Sequence, residues 1–160
     1  MTAQSQPEAQ AQPQRPYPVQ PTFIVVREIQ FVSHRPPSPT DRIEESEIRF
    51  SHSIAPFDEQ NKRIQITLSA EFGFQTDPTK PQPPFSLKVV MTGEFAIADD
   101  FPRDKIQLWA TRNAPFVIFP YLRERLHYMS SQGGYPPIML PLLQIPTLKL
   151  ESQQPTAAKA

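Results

Sequence analysis

With 160 residues, the chain is long enough for one domain with a real core. Its 16 Lys and Arg balance its 16 Asp and Glu, which argues against nucleic acid or an anionic membrane as the main partner. It has no cysteine, which excludes disulfides and thiolate chemistry, while 21 prolines against 4 glycines point to stiff links between apolar runs. Residues 1–21, rich in Gln, Pro and Ala, cannot bury enough apolar surface to offset ordering entropy and read as a disordered tail. Within them "RPYP" has the form of a polyproline ligand, although such motifs are common in solubilising tails.

Four alternating segments come next, each with the period of a strand. In the first, Phe23, Val25, Ile29 and Phe31 are placed on one face, with Arg27 interrupting. In the second, Ile48, Phe50, His52 and Ile54 alternate with Glu47, Arg49, Ser51 and Ser53. The third alternates Ile64, Ile66, Leu68, Ala70, Phe72 and Phe74 with polar residues, and the fourth does the same with Phe85, Leu87, Val89, Met91, Phe95 and Ile97. Polar, proline-rich links join them, and the link at 55–61 is short enough for a hairpin. An antiparallel sheet with one apolar and one wet face is expected. Gly93 inside the fourth strand marks a bulge or a close backbone contact.

The pattern then becomes helical. "DDFPRDKIQLWA" forms a short helix with Pro102 near its first turn and Trp109 at its end. Asn113 can cap a longer helix that Gly133 and Gly134 end; Pro120 either starts a shorter helix or kinks the longer one. "PIMLPLLQIPTLKL" is apolar but broken by Pro137, Pro141 and Pro146, so it is expected to be extended, as an edge strand or a draped segment. Residues 151–160 form a polar tail, which leaves residues 22–150 as the domain. The Met1 end has no basic-then-apolar leader and no apolar run approaches the roughly 20 residues of a membrane span. A cytoplasmic protein is the expectation.

Four strands make a face roughly 19 Å wide, whereas one helix covers about 10 Å. The long helix is also apolar over much of its circumference: Phe119, Leu122, Leu126 and Met129 form one stripe, and Ile118, Tyr121, Arg125 and Tyr128 repeat the spacing one residue out of phase. Both features point to an oligomer in which helices are sandwiched between two sheets, with the C-terminal segment folding back as the alternative cover.

Chemistry is sparse. His34, His52 and His127 have no ligand partner at metal-site spacing, so neither a metal nor a cofactor is expected. No phosphate-cradling glycine loop or nucleophile elbow is present. Arg123, Glu124 and His127 form the one constellation on which an enzyme could be built, and an ion pair on the helix surface explains it as well. What remains is apolar surface: Ile138, Met139, Leu140, Leu142, Leu143, Ile145, Leu148 and Leu150, with Trp109, Tyr135 and Met129 near them in sequence pattern. Unbranched methionine and aromatic rings suit surfaces that bind varied apolar partners, although each residue taken singly also fits a plain core.

"FVIFPYLRERLHYMSSQGGYPPIML", Phe116 to Leu140, resembles the signature helix of the SecB chaperone family, in which Phe-Pro-Tyr and Arg-Glu precede a glycine turn and an aromatic-Pro step. "GEFAI" at Gly93 to Ile97 resembles the end of that family's fourth strand. The resemblance implies an α+β fold, a four-stranded antiparallel sheet with one long and one short helix, assembled as a homotetramer, a dimer of dimers. It implies no enzymatic activity, but an ATP-independent holdase that keeps unfolded polypeptides competent for export or folding. Client-binding residues would then be Trp109, Tyr135, Ile138, Met139, Leu142, Leu143, Ile145 and Leu148. The oligomer interface would use Phe119, Tyr121, Leu122, Arg125, Leu126, Tyr128 and Met129. Of the acidic positions with which export members dock the SecA motor, Glu28 keeps one, while Val32 and Lys88 occupy two others; Pro141, Pro146 and a near-neutral tail replace the second C-terminal helix and acidic tail. The competing expectations are a SecB-like chaperone or adaptor dedicated to one partner, such as an antitoxin.

Overall fold

The computed structural model describes residues 16–43, 48–74 and 78–141. Strands β1 (Val19–Ser33), β2 (Arg49–Ile54), β3 (Arg63–Phe72) and β4 (Phe85–Ile97) precede a 3-10 turn (Arg103–Lys105) and helices α1 (Ile106–Arg112) and α2 (Ala114–Gln132). The sheet is antiparallel in the order β1-β4-β3-β2, so β1 and β2 are its edges. β2 and β3 form the hairpin expected across 55–61. The turn is held by Asp58, whose carboxylate accepts from the backbone N–H groups of Gln60 and Asn61 at 3.0 Å each. Lys62, at φ 53°, completes the reversal.

The alternation in β3 and β4 falls as the sequence pattern places it. Ile64, Ile66, Leu68, Ala70 and Phe72 are buried toward the helices, as are Phe85, Leu87, Val89, Met91, Phe95 and Ile97. β1 differs in two ways. It begins at Val19, ahead of the expected start at residue 22, because β4 is long enough to pair Val19 with Ile97. Its register also shifts, first between Pro21 and Phe23 and again between Val26 and Glu28, where Arg27 is the extra residue of a bulge. Opposed residues of a ladder share a face. Phe23 opposes Glu94 and Val25 opposes Thr92 on the wet face, whereas Ile29 opposes Val89 and Phe31 opposes Leu87 on the helix face. The four residues expected on one face are therefore split two and two.

The helices lie on one face of the sheet, α2 over β3 and β4. α2 buries Ala114, Ile118, Leu122, Leu126 and Ser130, an i, i+4 row, against the sheet. Gly93 permits this approach: a Cβ there would stand 2.8 Å from Ile118 Cδ1. The ladder continues through Gly93 on both sides, so close contact rather than a bulge explains the residue. α2 runs unbroken through Pro120, which lies on its exposed side. Asn113 joins α1 to α2 in a helical conformation (φ -110°, ψ -44°) and makes no capping bond with its side chain, because it lacks the extended backbone of a working N-cap. Trp109 sits inside α1, edge-on to Phe95 at 5.0 Å between ring centroids. Gly134 reverses the chain after α2 at φ 79°.

Residues 135–141 then run back along α2 without strand pairing, as a draped strap. Three anchors hold it. The Tyr135 ring packs on Phe85 at 4.5 Å, and its hydroxyl hydrogen-bonds Ser33 Oγ at 2.6 Å and Arg35 O. Ile138 N–H donates to the buried Ser130 Oγ at 2.9 Å. Ile138 and Leu140 are buried, while Met139 between them is 53% exposed.

Candidate functional site

Because α2 covers only β3 and β4, an apolar strip of the helix face is left open along each edge strand. On the β2 side, Phe50 is 51% exposed and His52 is also exposed. Both point toward the helices, since Phe50 opposes Ala70 and His52 opposes Leu68, each buried there. Phe119 of α2 leans over Phe50 with ring centroids 6.2 Å apart. Leu68 and Leu122 form the floor of the resulting cleft, Pro115 one end and Pro141 of the strap its lip. The cleft holds about 230 Å³, and among the described residues His52 is the one titratable side chain in its lining.

On the β1 side, Val26 and Ile29 of the helix face are 37% and 40% exposed. With about 100° of rotation per residue, Tyr121, Arg125 and Tyr128 lie on the flank of α2 opposite to Phe119. Phe119 points toward β2, so this flank faces the β1 side. Tyr121 is 53% and Tyr128 48% exposed there.

The sequence candidates thus divide. Among those assigned to clients, Met139 is exposed, whereas Trp109, Tyr135 and Ile138 are core residues of the protomer itself. Their pattern suggests surface because the strap and α1 supply a second cover that no local pattern announces. Leu142, Leu143, Ile145 and Leu148 lie outside the described residues. Among those assigned to the interface, Tyr121, Arg125 and Tyr128 are exposed, Phe119 and Met129 are half-buried, and Leu122 and Leu126 pack fully inside the protomer. Phe50, His52 and Pro115 line the cleft, and sequence reasoning misses them as site residues; the one signal for them is an inward-facing Phe on a short strand that proves to be an edge.

The wet face is a hydrogen-bonded polar surface. Thr67 and Thr92 hydroxyls meet at 2.8 Å, and Ser51 and Ser69 at 2.7 Å. Glu94 accepts from Gln65 Nε2 at 2.9 Å and pairs with Arg63, and these two contacts hold its carboxyl below the usual range. Lys88 lies 3.3 Å from Glu28 and 3.9 Å from Glu71, so the carboxylate of Glu28 is charge-compensated. On α2, Glu124 pairs with Arg125 at 3.2 Å and not with the Arg123 and His127 of the alternative constellation. Among the described residues, no group of three His, Asp or Glu side chains is placed to hold a metal, and no helix is long and apolar enough to cross a membrane.

The chain is similar to known proteins over most of its length. The protein-export protein SecB of Methylococcus capsulatus is 22% identical over 147 residues, spanning 92% of this chain and 91% of the relative. The SecB of Thiobacillus denitrificans is 26% identical over 61% of this chain and 59% of its own. An uncharacterized protein of Methanocaldococcus jannaschii is 26% identical over 76% of both chains. In fold, the SecB-like chaperone of Mycobacterium tuberculosis, solved in complex with a ChAD peptide from the HigA1 antitoxin, superposes with a TM-score of 0.63 at 18% identity, covering 81% of this chain and 93% of that one. The four-stranded antiparallel sheet with its helix on one face is the arrangement the two share, and since the family model for preprotein translocase subunit SecB matches residues 11–154, the chain belongs to the SecB family.

Proposed function

We propose that the chain is an ATP-independent chaperone that holds non-native polypeptides against its apolar clefts. The observation that carries this reading is the strip at the β2 edge, where Phe50, Phe119, Leu68 and Leu122 line an open groove with almost no polar commitment. Such a surface discriminates little between apolar side chains, and several modest contacts add to a useful affinity. Covering the exposed half of Phe50 contributes about 1 kcal/mol, roughly fivefold in Kd. The opposite flank, with Val26, Ile29, Tyr121, Arg125 and Tyr128, is assigned to self-association into a tetramer, which would cover the second apolar stripe.

A chaperone dedicated to one partner, such as an antitoxin, is the second reading. The Glu28–Lys88 ion pair favours it, because a neutralised wet face offers little to a motor that docks on acidic residues. The test dilutes an unrelated protein from denaturant and records light scattering with and without this chain. Suppressed aggregation without ATP is the expected result, weakened by Phe50→Ser and Phe119→Ser in a chain whose fold is unchanged. A folded chain that fails to suppress aggregation would leave only the dedicated reading.

A further inference from the structure

We propose that residues 142–150 of the chain itself are the resting occupant of the β2-side cleft and compete there with clients. This rests on the reading of that cleft as the client site. The strap delivers the segment to the cleft: Tyr135, the Ser130–Ile138 bond and buried Leu140 fix its course, and Pro141 forms the lip. Immediately after Pro141 comes "LLQIPTLKL", in which Leu142, Leu143, Ile145, Leu148 and Leu150 are apolar and Lys149 is the one charge. Pro146 denies the segment a regular helix. Its nine residues reach about 30 Å when extended, whereas the six residues of β2 span about 20 Å. The segment is therefore long enough to span the whole strip beside Phe50 and His52, and its apolar composition matches that lining.

The competition is a consequence of tethering. A short tether presents its segment at an effective concentration on the order of 1 mM. A nine-residue apolar segment with an intrinsic Kd of about 0.1–1 mM is then bound half of the time or more. Clients see an affinity reduced by about two- to tenfold. Displacement by a client with several apolar stretches would release the segment.

The test reads occupancy without a client. Phe50→Trp places a reporter in the cleft, while the native Trp109, 3% exposed, is shielded from acrylamide. In the full chain the reporter is expected to be protected, and truncation after Pro141 to make it quench freely. A fluorescein-labelled peptide of residues 142–150 should bind the truncated chain about two- to tenfold tighter than the full one. Should truncation impair folding, Leu142→Ser, Leu143→Ser and Ile145→Ser in the full chain make the same comparison. Unchanged quenching, or equal peptide binding to both chains, overturns the proposal. So does protection that disappears on dilution, which would make the occupant the segment of another copy. If the peptide binds as expected but no unfolded protein is held, the holdase reading fails and the occupancy stands.

Discussion

Replacing Ser130 by Ala tests how the strap is held. Ser130 is fully buried, and its hydroxyl donates to Leu126 O at 2.8 Å while accepting from Ile138 N–H at 2.9 Å. The helix carbonyl keeps its backbone donor in the variant; the Ile138 amide loses its acceptor in a place water does not reach. Leaving a buried donor unsatisfied costs about 1–3 kcal/mol. Borne by the strap alone, that cost raises the population of strap-open molecules, so the Ile138 amide should exchange about 5- to 150-fold faster. Ser131→Ala is the control, since its hydroxyl donates to His127 O on the exposed side and serves nothing on the strap. Hydrogen exchange at residue resolution measures both. Unchanged protection at Ile138 in the Ser130 variant, or an equal loss in the Ser131 variant, would refute the assignment of this hydroxyl as the clasp.

Gly93→Ala should destabilise the fold by about 1–3 kcal/mol, because the new methyl meets Ile118 Cδ1 at 2.8 Å and Phe95 Cε2 at 3.0 Å. Denaturant melts of a double-mutant cycle with Ile118→Val should show less than additive loss. Tyr121→Asp with Tyr128→Asp should shift the sedimenting mass to a smaller species with the circular dichroism unchanged; an unaltered mass would move the interface elsewhere. The loop after β1 should carry an acid sensitivity. Arg35, and after it the Ser38 N–H, hold the Asp41 carboxyl below its ordinary value of 3.8. A lowered folded pKa gives stability that is full above that ordinary value and is lost as pH falls through the folded one. Asp41→Asn should flatten that acid limb in melting temperatures taken across pH, whereas a parallel drop at all pH values would refute the role.

β3, β4 and the extent of α2 are legible in the sequence because each obeys one uninterrupted period against one cover. β1 is not, since a bulge leaves no mark in composition: Arg27 looks like a polar residue on an apolar face. The neighbourhood of β1 and β4 is also hidden, because a ladder joining residues as distant as Val19 and Ile97 depends on tertiary closure. On α2 both the stripe through Phe119 and the stripe through Ile118 carry large apolar or aromatic side chains, and only the sheet decides that Ile118 goes in while Phe119 turns to Phe50. The cleft needs an edge, a helix flank and the end of a strap in one place. Tyr135 shows the same limit, as an aromatic residue whose hydroxyl partner Ser33 lies 102 positions away.

The bulge at Arg27 also sets which length changes the gene can tolerate. Val26 opposes Met91 and Glu28 opposes Val90, so losing the Arg27 codon would join two residues whose partners are already consecutive, and every face and pairing of β1 would be kept. Losing the codon of Val25 instead would have no such outlet. Either the bulge heals, with Val26 moved to the wet face opposite Thr92 and Arg27 to the helix face opposite Met91, or it persists and Ile24 moves opposite Thr92 while the pairing of Val19 with Ile97 breaks. Both outcomes take an apolar residue from the helix face of β1. A one-codon deletion would therefore pass almost unnoticed at Arg27 and, two positions earlier, be felt as a change of assembly.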